Sequence, residues 1–251
     1  MKNKLNTILC IIIVLIAAGL IFDGIYIYFH WQRDSEPKTP TIVDSTQATS
    51  SEPEPVNDEE LVPPESMMLN IPFITQAPFR SWKEYPFNHT CEEATVLQVH
   101  YYFSKESIDE TAIRQELLDL VDYEVKNYGL HDDTSAAQTA TLIKDYYGYK
   151  TEVYYDISLQ DIKREISKGH PVIVPTAGRL LDNPHFTPPG PLYHMIVIKG
   201  YTPTEFITND PGTYRTGADW PYSYQILEKA IHDWNDGDVL NGKSAMISIQ
   251  E

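Results

Sequence analysis

The 251-residue chain carries 36 acidic against 19 basic residues, a formal charge of −17 at pH 7. That balance lacks the basic footprint that nucleic-acid binding needs, and it opposes docking on anionic lipid headgroups. Of its two cysteines, Cys10 lies inside an apolar run and Cys91 stands alone, so the rest of the chain has no internal disulfide and must be stabilised by packing.

Ile8 to Phe22 is almost wholly apolar, and apolar and aromatic residues continue past Asp23 to Trp31. Leu5 to Trp31 as a helix would span roughly 40 Å, enough to cross a bilayer with its interfaces. Lys2 and Lys4 precede the run, which puts the N-terminus in the cytoplasm and the rest of the chain outside. Tyr26, Tyr28 and Trp31 suit the outer interface. A cleaved signal peptide is the competing reading. Ala17-Ala18-Gly19 is a poor cleavage site for it, because the apolar run continues beyond. Residues 1–33 are therefore expected to form a single-pass transmembrane anchor, the only expected contact with the membrane. Residues 34–66 are rich in Pro, Ser, Thr, Asp and Glu, with Lys38 as the only base. Such a segment buries too little apolar surface to offset chain entropy, and its prolines and like charges extend it. It reads as a disordered stalk holding an extracellular domain, residues 67–251, off the membrane.

That domain holds 15 Lys+Arg against 26 Asp+Glu and is long enough for one sizeable core. Ile71 to Ile74 reads as a short edge strand, with Pro72 excluding a central position. Pro78 to Thr90 is loop. From Cys91 to Phe103 the pattern is helical, with Ala94, Leu97 and Tyr101 on one face and Asn88 or Thr90 as cap. Glu92 and Glu93 fit the positive first turn. Asp109 to about Asn127 and Thr134 to Tyr147 are further helices, the latter ended by Gly148. Glu152 to Tyr155 is a strand. Ser158 to Lys168 is a helix with Ser158 and Asp161 spaced as a capping box. Pro171 to Pro175 is a strand, and Leu181 to Pro191 a Pro-rich loop. Tyr193 to Tyr201 and Glu205 to Thr208 are strands joined at Thr202-Pro203. Ser223 to Trp234 is helical, and Ala245 to Ile249 is a last strand. Helices first and paired strands later make an α+β domain.

A lone thiol at a helix start, with a histidine and an acid or amide later in the chain, is a candidate nucleophile. The helix N-terminus and a neighbouring imidazolium would lower its pKa. His194 opens an apolar strand, Met195-Ile196-Val197-Ile198, so rigid backbone would hold its ring. The next strand ends at Asn209-Asp210, and either residue could accept the other ring N–H. The backbone N–H of Cys91 and the amide of Gln76 could stabilise an oxyanion. Trp82, Phe87, Phe186 and Tyr193 are candidate cleft walls. His89 could line the cleft, and His185 could sit on its rim. No His-x-x-x-His or Cys-x-x-Cys spacing occurs, so neither a metal nor any other cofactor is expected.

Five segments also carry a resemblance. They are Ile71-Pro72-Phe73-Ile74-Thr75-Gln76-Ala77-Pro78, Cys91-Glu92-Glu93-Ala94, Lys168-Gly169-His170-Pro171-Val172-Ile173-Val174, His194-Met195-Ile196-Val197-Ile198-Lys199-Gly200-Tyr201 and Asn209-Asp210-Pro211. In this order they resemble the bacteriocin-processing, C39-like family of papain-like cysteine peptidases, in its free-standing bacterial members. The resemblance implies a papain-like fold, with N-terminal helices carrying the cysteine and an antiparallel sheet carrying histidine and aspartate. It casts Cys91 as nucleophile, His194 as base, Asp210 as orienting acid and Gln76 as oxyanion donor, acting on a peptide or protein substrate. Asn209 stays open for the third role. Many relatives have Gly-Pro after the cysteine, whereas this chain has Glu92-Glu93, two carboxylates that oppose thiolate formation. A catalytically inactive binding module at the cell surface, and an amidase or transpeptidase on cell-wall peptides, are the rival readings. Substrate and oligomeric state are not legible.

Overall fold

The computed structural model describes residues 62–130 and 132–251. The expected anchor, residues 1–33, and all but the last five residues of the expected stalk lie outside the described residues, as does His131. Among the described residues, no helix is long and apolar enough to cross a membrane.

Three helices precede most of the sheet. α1 (Cys91–Ser104) is buried along nearly its whole length, with Ala94 and Leu97 fully enclosed. A helix buried all round is a core helix rather than an amphipathic surface one, which corrects the one-face expectation. α2 (Glu110–Tyr128) is capped by Asp109, whose carboxylate accepts from the N–H groups of Thr111 and Ala112. It buries Leu117, Leu120 and Val121 on one stripe. α3 (Ala136–Leu142) runs on as a π-turn, Ile143–Tyr147.

The strands are β1 (Met67–Met68), β2 (Lys150–Tyr155), β3 (Val172–Thr176), β4 (His194–Tyr201), β5 (Glu205–Asn209), β6 (Trp220–Ser223) and β7 (Ala245–Gln250). They form one antiparallel sheet in the order β2-β7-β3-β4-β5-β6, with β1 added against the far end of β4. Every residue of β4 is buried, so both its faces are covered and its apolar run is continuous. α4 (Leu159–Ser167) starts at the expected capping box, Ser158 with Asp161. α5 (Tyr224–Ala230) follows β6 directly.

Three expectations need correction. Ile71 to Ile74 is not a strand, because side chains take its carbonyls out of any ladder. Lys199 Nζ donates to Ile71 O at 2.8 Å. Asn209 Nδ2 reaches the carbonyls of Ile71 and Pro72 at 3.1 Å each, and Gln98 Nε2 reaches Ile74 O at 2.9 Å. The N-terminal strand lies earlier, at β1. The last helix stops at Ala230 rather than Trp234, since Ile231 turns extended and bridges to Thr176. Thr90 precedes α1, but its hydroxyl donates to Gln76 O at 2.9 Å and caps nothing.

Candidate active site

The start of α1, the start of β4 and the end of β5 meet at one end of the sheet. A cavity of about 380 Å³ opens there, lined among others by Gln76, Trp82, His89, Cys91, Phe186, Tyr193 and His194. Apart from Asp210 and the candidate wall Phe87, every residue singled out as catalytic or substrate-binding in the sequence therefore faces one space. Asp210 lies behind it, fully buried, and holds the His194 ring through an Nε2–Oδ1 hydrogen bond of 2.8 Å. That leaves the cavity side of the ring to Nδ1. Of the two candidates for the third position, Asp210 meets the ring. Asn209 is committed elsewhere, to the Ile71 and Pro72 carbonyls and, through Oδ1, to the Asp219 N–H.

Asp210 is more heavily partnered than the sequence suggested. Its Oδ1 also accepts from the Gly212 N–H at 3.0 Å. Its Oδ2 accepts from Tyr222 Oη at 2.7 Å and Asn183 Nδ2 at 3.0 Å. Burial pushes the carboxyl pKa up, but the His194 charge and hydrogen bond, with those from Tyr222 and Gly212, outweigh it and hold the pKa below the ordinary value. Asn183 and Tyr222 were not foreseen, since they come from the Pro-rich loop and from β6 and carry no local motif. Gly212 was likewise not singled out. A Cβ there would stand 2.8 Å from His194 Cε1 and 2.9 Å from Nε2, so the close approach of this turn to the ring requires glycine. Phe186 packs its ring edge-on to His194 at 5.4 Å between centroids.

Cys91 opens α1 and is mostly buried. Its sulfur donates to Glu92 Oε2 at 2.9 Å and also meets the backbone of Met195, the residue after His194. Glu92 Oε1 accepts from the Thr134 N–H at 3.1 Å, and Tyr193 Oη donates to Thr134 O at 2.9 Å. Tyr193 is thus a wall whose hydroxyl is already engaged. Burial above all, then the Glu92 charge and hydrogen bond, push the Cys91 thiol well up. The direction is opposite to the lowering expected at a helix start; the Met195 backbone bond opposes the rise and is outweighed. Burial likewise lifts Glu92 to about 8.

Gln76 is pinned on three sides. Its N–H donates to Pro211 O at 3.1 Å, its C=O accepts from Thr90, and its Nε2 donates to Phe87 O at 3.2 Å. A primary amide has two N–H donors, so one remains for the cavity. Phe87 itself is core rather than wall. Of the other histidines, His185, expected on the rim, lines the cavity adjoining this one, and the rest among the described residues are placed elsewhere. His185 packs against Trp220, and His100 stacks on Tyr147 at 4.1 Å. His170 pairs with Glu165, and His232 bonds the Gly242 carbonyl. Among the described residues no group of three or more His, Cys, Asp or Glu could hold a metal ion.

A helix-borne thiol, a strand-borne imidazole and a buried acid around one cleft of an α+β fold define a papain-like cysteine peptidase scaffold. The model of the Peptidase_C39 like family matches residues 68–237, and the chain belongs to that family of cysteine peptidases. Two solved structures are similar. One is described as a C39-like peptidase from Bacillus anthracis; it is 18% identical with a TM-score of 0.50, over 75% of this chain and 99% of that one. The other is a double glycine motif protease from an AMS/PCAT transporter in complex with the leader peptide, 14% identical with a TM-score of 0.39, over 72% of this chain and 92% of that one. No curated protein matches significantly.

Proposed function

We propose that the chain hydrolyses peptide bonds at the outer face of the membrane, with residues 1–33 as anchor, 34–66 as stalk and 67–251 as catalytic domain. Cys91 is the nucleophile, His194 the base, Asp210 the orienting acid and Gln76 the oxyanion donor. The observation carrying this reading is that Cys91, His194 and Gln76 line one cavity while Asp210 holds the far nitrogen of His194.

The chemistry follows from the protons. With Nε2 held by Asp210, Nδ1 takes the thiol proton as sulfur leaves Glu92 and attacks the substrate carbonyl. The developing oxyanion is met by the free N–H of Gln76 and by the Cys91 N–H, which has no intrahelical partner in the first turn of α1. His194 then protonates the leaving amine, and a thioester remains on Cys91. Water, deprotonated by His194, releases the acid product and restores the thiol. Asp210 keeps the imidazole in one orientation throughout.

A second reading, a peptide-binding module without turnover, is favoured by the Cys91–Glu92 hydrogen bond, which holds the thiol protonated. Mass spectrometry of cell-surface peptides separates the two. Peptides released by wild type and missing with both Cys91→Ala and His194→Ala are expected of the hydrolase. Identical peptide sets from all three would leave only the binding module.

A further inference from the structure

The cleft continues past the catalytic cavity. A second cavity of about 360 Å³ lies beside it, and the two share Trp82, Thr187 and Gly212. Their charges are opposite. The catalytic cavity is lined by Glu92 and Asp133 with no Lys or Arg, while the second is lined by Arg80 and Arg215 with no Asp or Glu. Two arginines converge here although acidic residues far outnumber basic ones in the chain.

Both guanidinium groups lie against the ring of Tyr214, at 4.5 Å for Arg80 and 5.2 Å for Arg215. Neither forms an ion pair among the described residues. The neighbouring Glu110 has both oxygens engaged, one by Tyr214 Oη at 3.2 Å and one by the Phe79 N–H at 2.6 Å. The backbone around each arginine is fixed. Phe79 and Arg80 both adopt left-handed φ, 56° and 62°, a pair of conformations non-glycine residues hold only under outside constraint. Here the constraint includes the Glu110 bond to Phe79 and the Arg80 N–H to Ala77 O bond of 3.0 Å. Arg215 stands on the loop that follows the catalytic acid. That loop is closed by the Asp210 N–H to Gly217 O bond of 2.9 Å and tied to the Gln76 segment by Thr75 Oγ1 to Thr213 O at 3.0 Å.

We propose that this second cavity is a carboxylate-recognising subsite of the cleft. It seats an Asp or Glu side chain of the substrate, or its free C-terminus, between Arg80 and Arg215 while the scissile bond lies over Cys91. The proposal rests on the peptidase reading. A planar guanidinium fork matches two carboxylate oxygens and stays charged at every working pH. The stacking on Tyr214 holds both forks at low conformational cost. Because the arginines are solvent-facing, the selectivity is modest and salt-sensitive.

The test exposes a degenerate peptide library, half of it C-terminally amidated, to the full-length protein and identifies products by mass spectrometry. Only cuts lost in Cys91→Ala are counted. Expected is an enrichment of Asp and Glu over Asn and Gln by about five- to tenfold at one fixed position, carried by KM and reduced by salt. In the doubly substituted Arg80→Gln/Arg215→Gln protein, shown folded by its melting curve, that ratio falls toward one, and the Arg→Lys pair restores part of it. Dependence on the unamidated end instead of a side chain identifies the terminal carboxylate as the group bound. Cys91-dependent cuts with no acidic preference, or a preference untouched by the double substitution, overturn the subsite and leave the peptidase reading intact. If no Cys91-dependent cuts occur, the peptidase reading falls, and retention of the same library on immobilised protein decides the subsite. Selective retention of acidic peptides by wild type, absent from the Arg→Gln pair, upholds carboxylate recognition; equal retention overturns it.

Discussion

Replacing Glu92 by Gln should lower the pH at which Cys91 becomes a thiolate. In the native protein the sulfur donates to Glu92 Oε2 at 2.9 Å, and the carboxyl pKa is lifted to about 8. At pH 7 both groups therefore keep their protons. Ionising both would set two negative charges side by side, a repulsion of about 6 kcal/mol at an effective dielectric of about 20, or roughly four pKa units. The pair avoids it by losing one proton near pH 8 and keeping the second to much higher pH, so the titration belongs to the pair. Glutamine has the same shape. Its carbonyl can still accept from Thr134 N–H, while its amide donates to sulfur and favours the thiolate. Part of the repulsion is already relieved by the shared proton, so the expected fall in the Cys91 pKa is about one to two units. Below pH 8, where Glu92 keeps its proton, the thiolate fraction changes little. Above it, where Gln removes the Glu92 charge, the fraction rises about ten- to a hundredfold while the thiol is still mostly protonated, and the alkylation rate by less, since a less basic thiolate is a weaker nucleophile. The assay is the iodoacetamide rate against pH, read by intact mass, with Cys91→Ala to correct for Cys10. A folded Glu92→Gln protein whose alkylation midpoint stays put or moves up would refute the reasoning.

Gln76→Ala should lower kcat by about 10²- to 10³-fold with KM little changed, as expected for an oxyanion donor; a loss confined to KM would count against that role. Asp210 has a folded pKa below its free value, so its stabilisation is complete above the unfolded pKa of about 3.9 and is lost as pH falls through the folded one. Asp210→Asn should accordingly destabilise the protein at pH 7 and flatten the acid limb of its urea-denaturation curve; an unchanged limb would show that other carboxylates dominate it. Tyr222→Phe removes a buried donor to that carboxylate and should cost about 1.5–3 kcal/mol at pH 7 by the same measurement. Gly212→Ala should push the His194 ring aside, and full cleavage activity in that variant would mean the ring has room the structure does not give it.

What could be read from the sequence was local. The start of α1, the Ser158–Asp161 box and the β4–β5 hairpin each follow from signals within a few residues. The features that escaped are set at a distance. Ile71 to Ile74 has a strand-like composition, yet Lys199, Asn209 and Gln98 satisfy its carbonyls from remote parts of the chain. The choice between Asn209 and Asp210 also lay beyond local pattern, because β4 and β5 shift register between Ile198 and Gly200. Alternation then turns Asn209 toward Ile71 and Asp210 toward the imidazole. Glu92 was visible as an obstacle to the thiolate, but its bond to the sulfur depends on burial that no spacing reveals. The arginine pair is likewise assembled from two loops and has no signature in either.

The Gln76 N–H to Pro211 O bond joins the first part of the domain to one made much later. A polypeptide is synthesised from its amino end, and domains close only when their distant partners have emerged. In the proposed enzyme the growing chain therefore carries the thiol and Gln76 past the ribosome before the imidazole, its aspartate and the Pro211 carbonyl that ties Gln76 have been made. Hydrolytic power, on that reading, arrives only when the closing strands do.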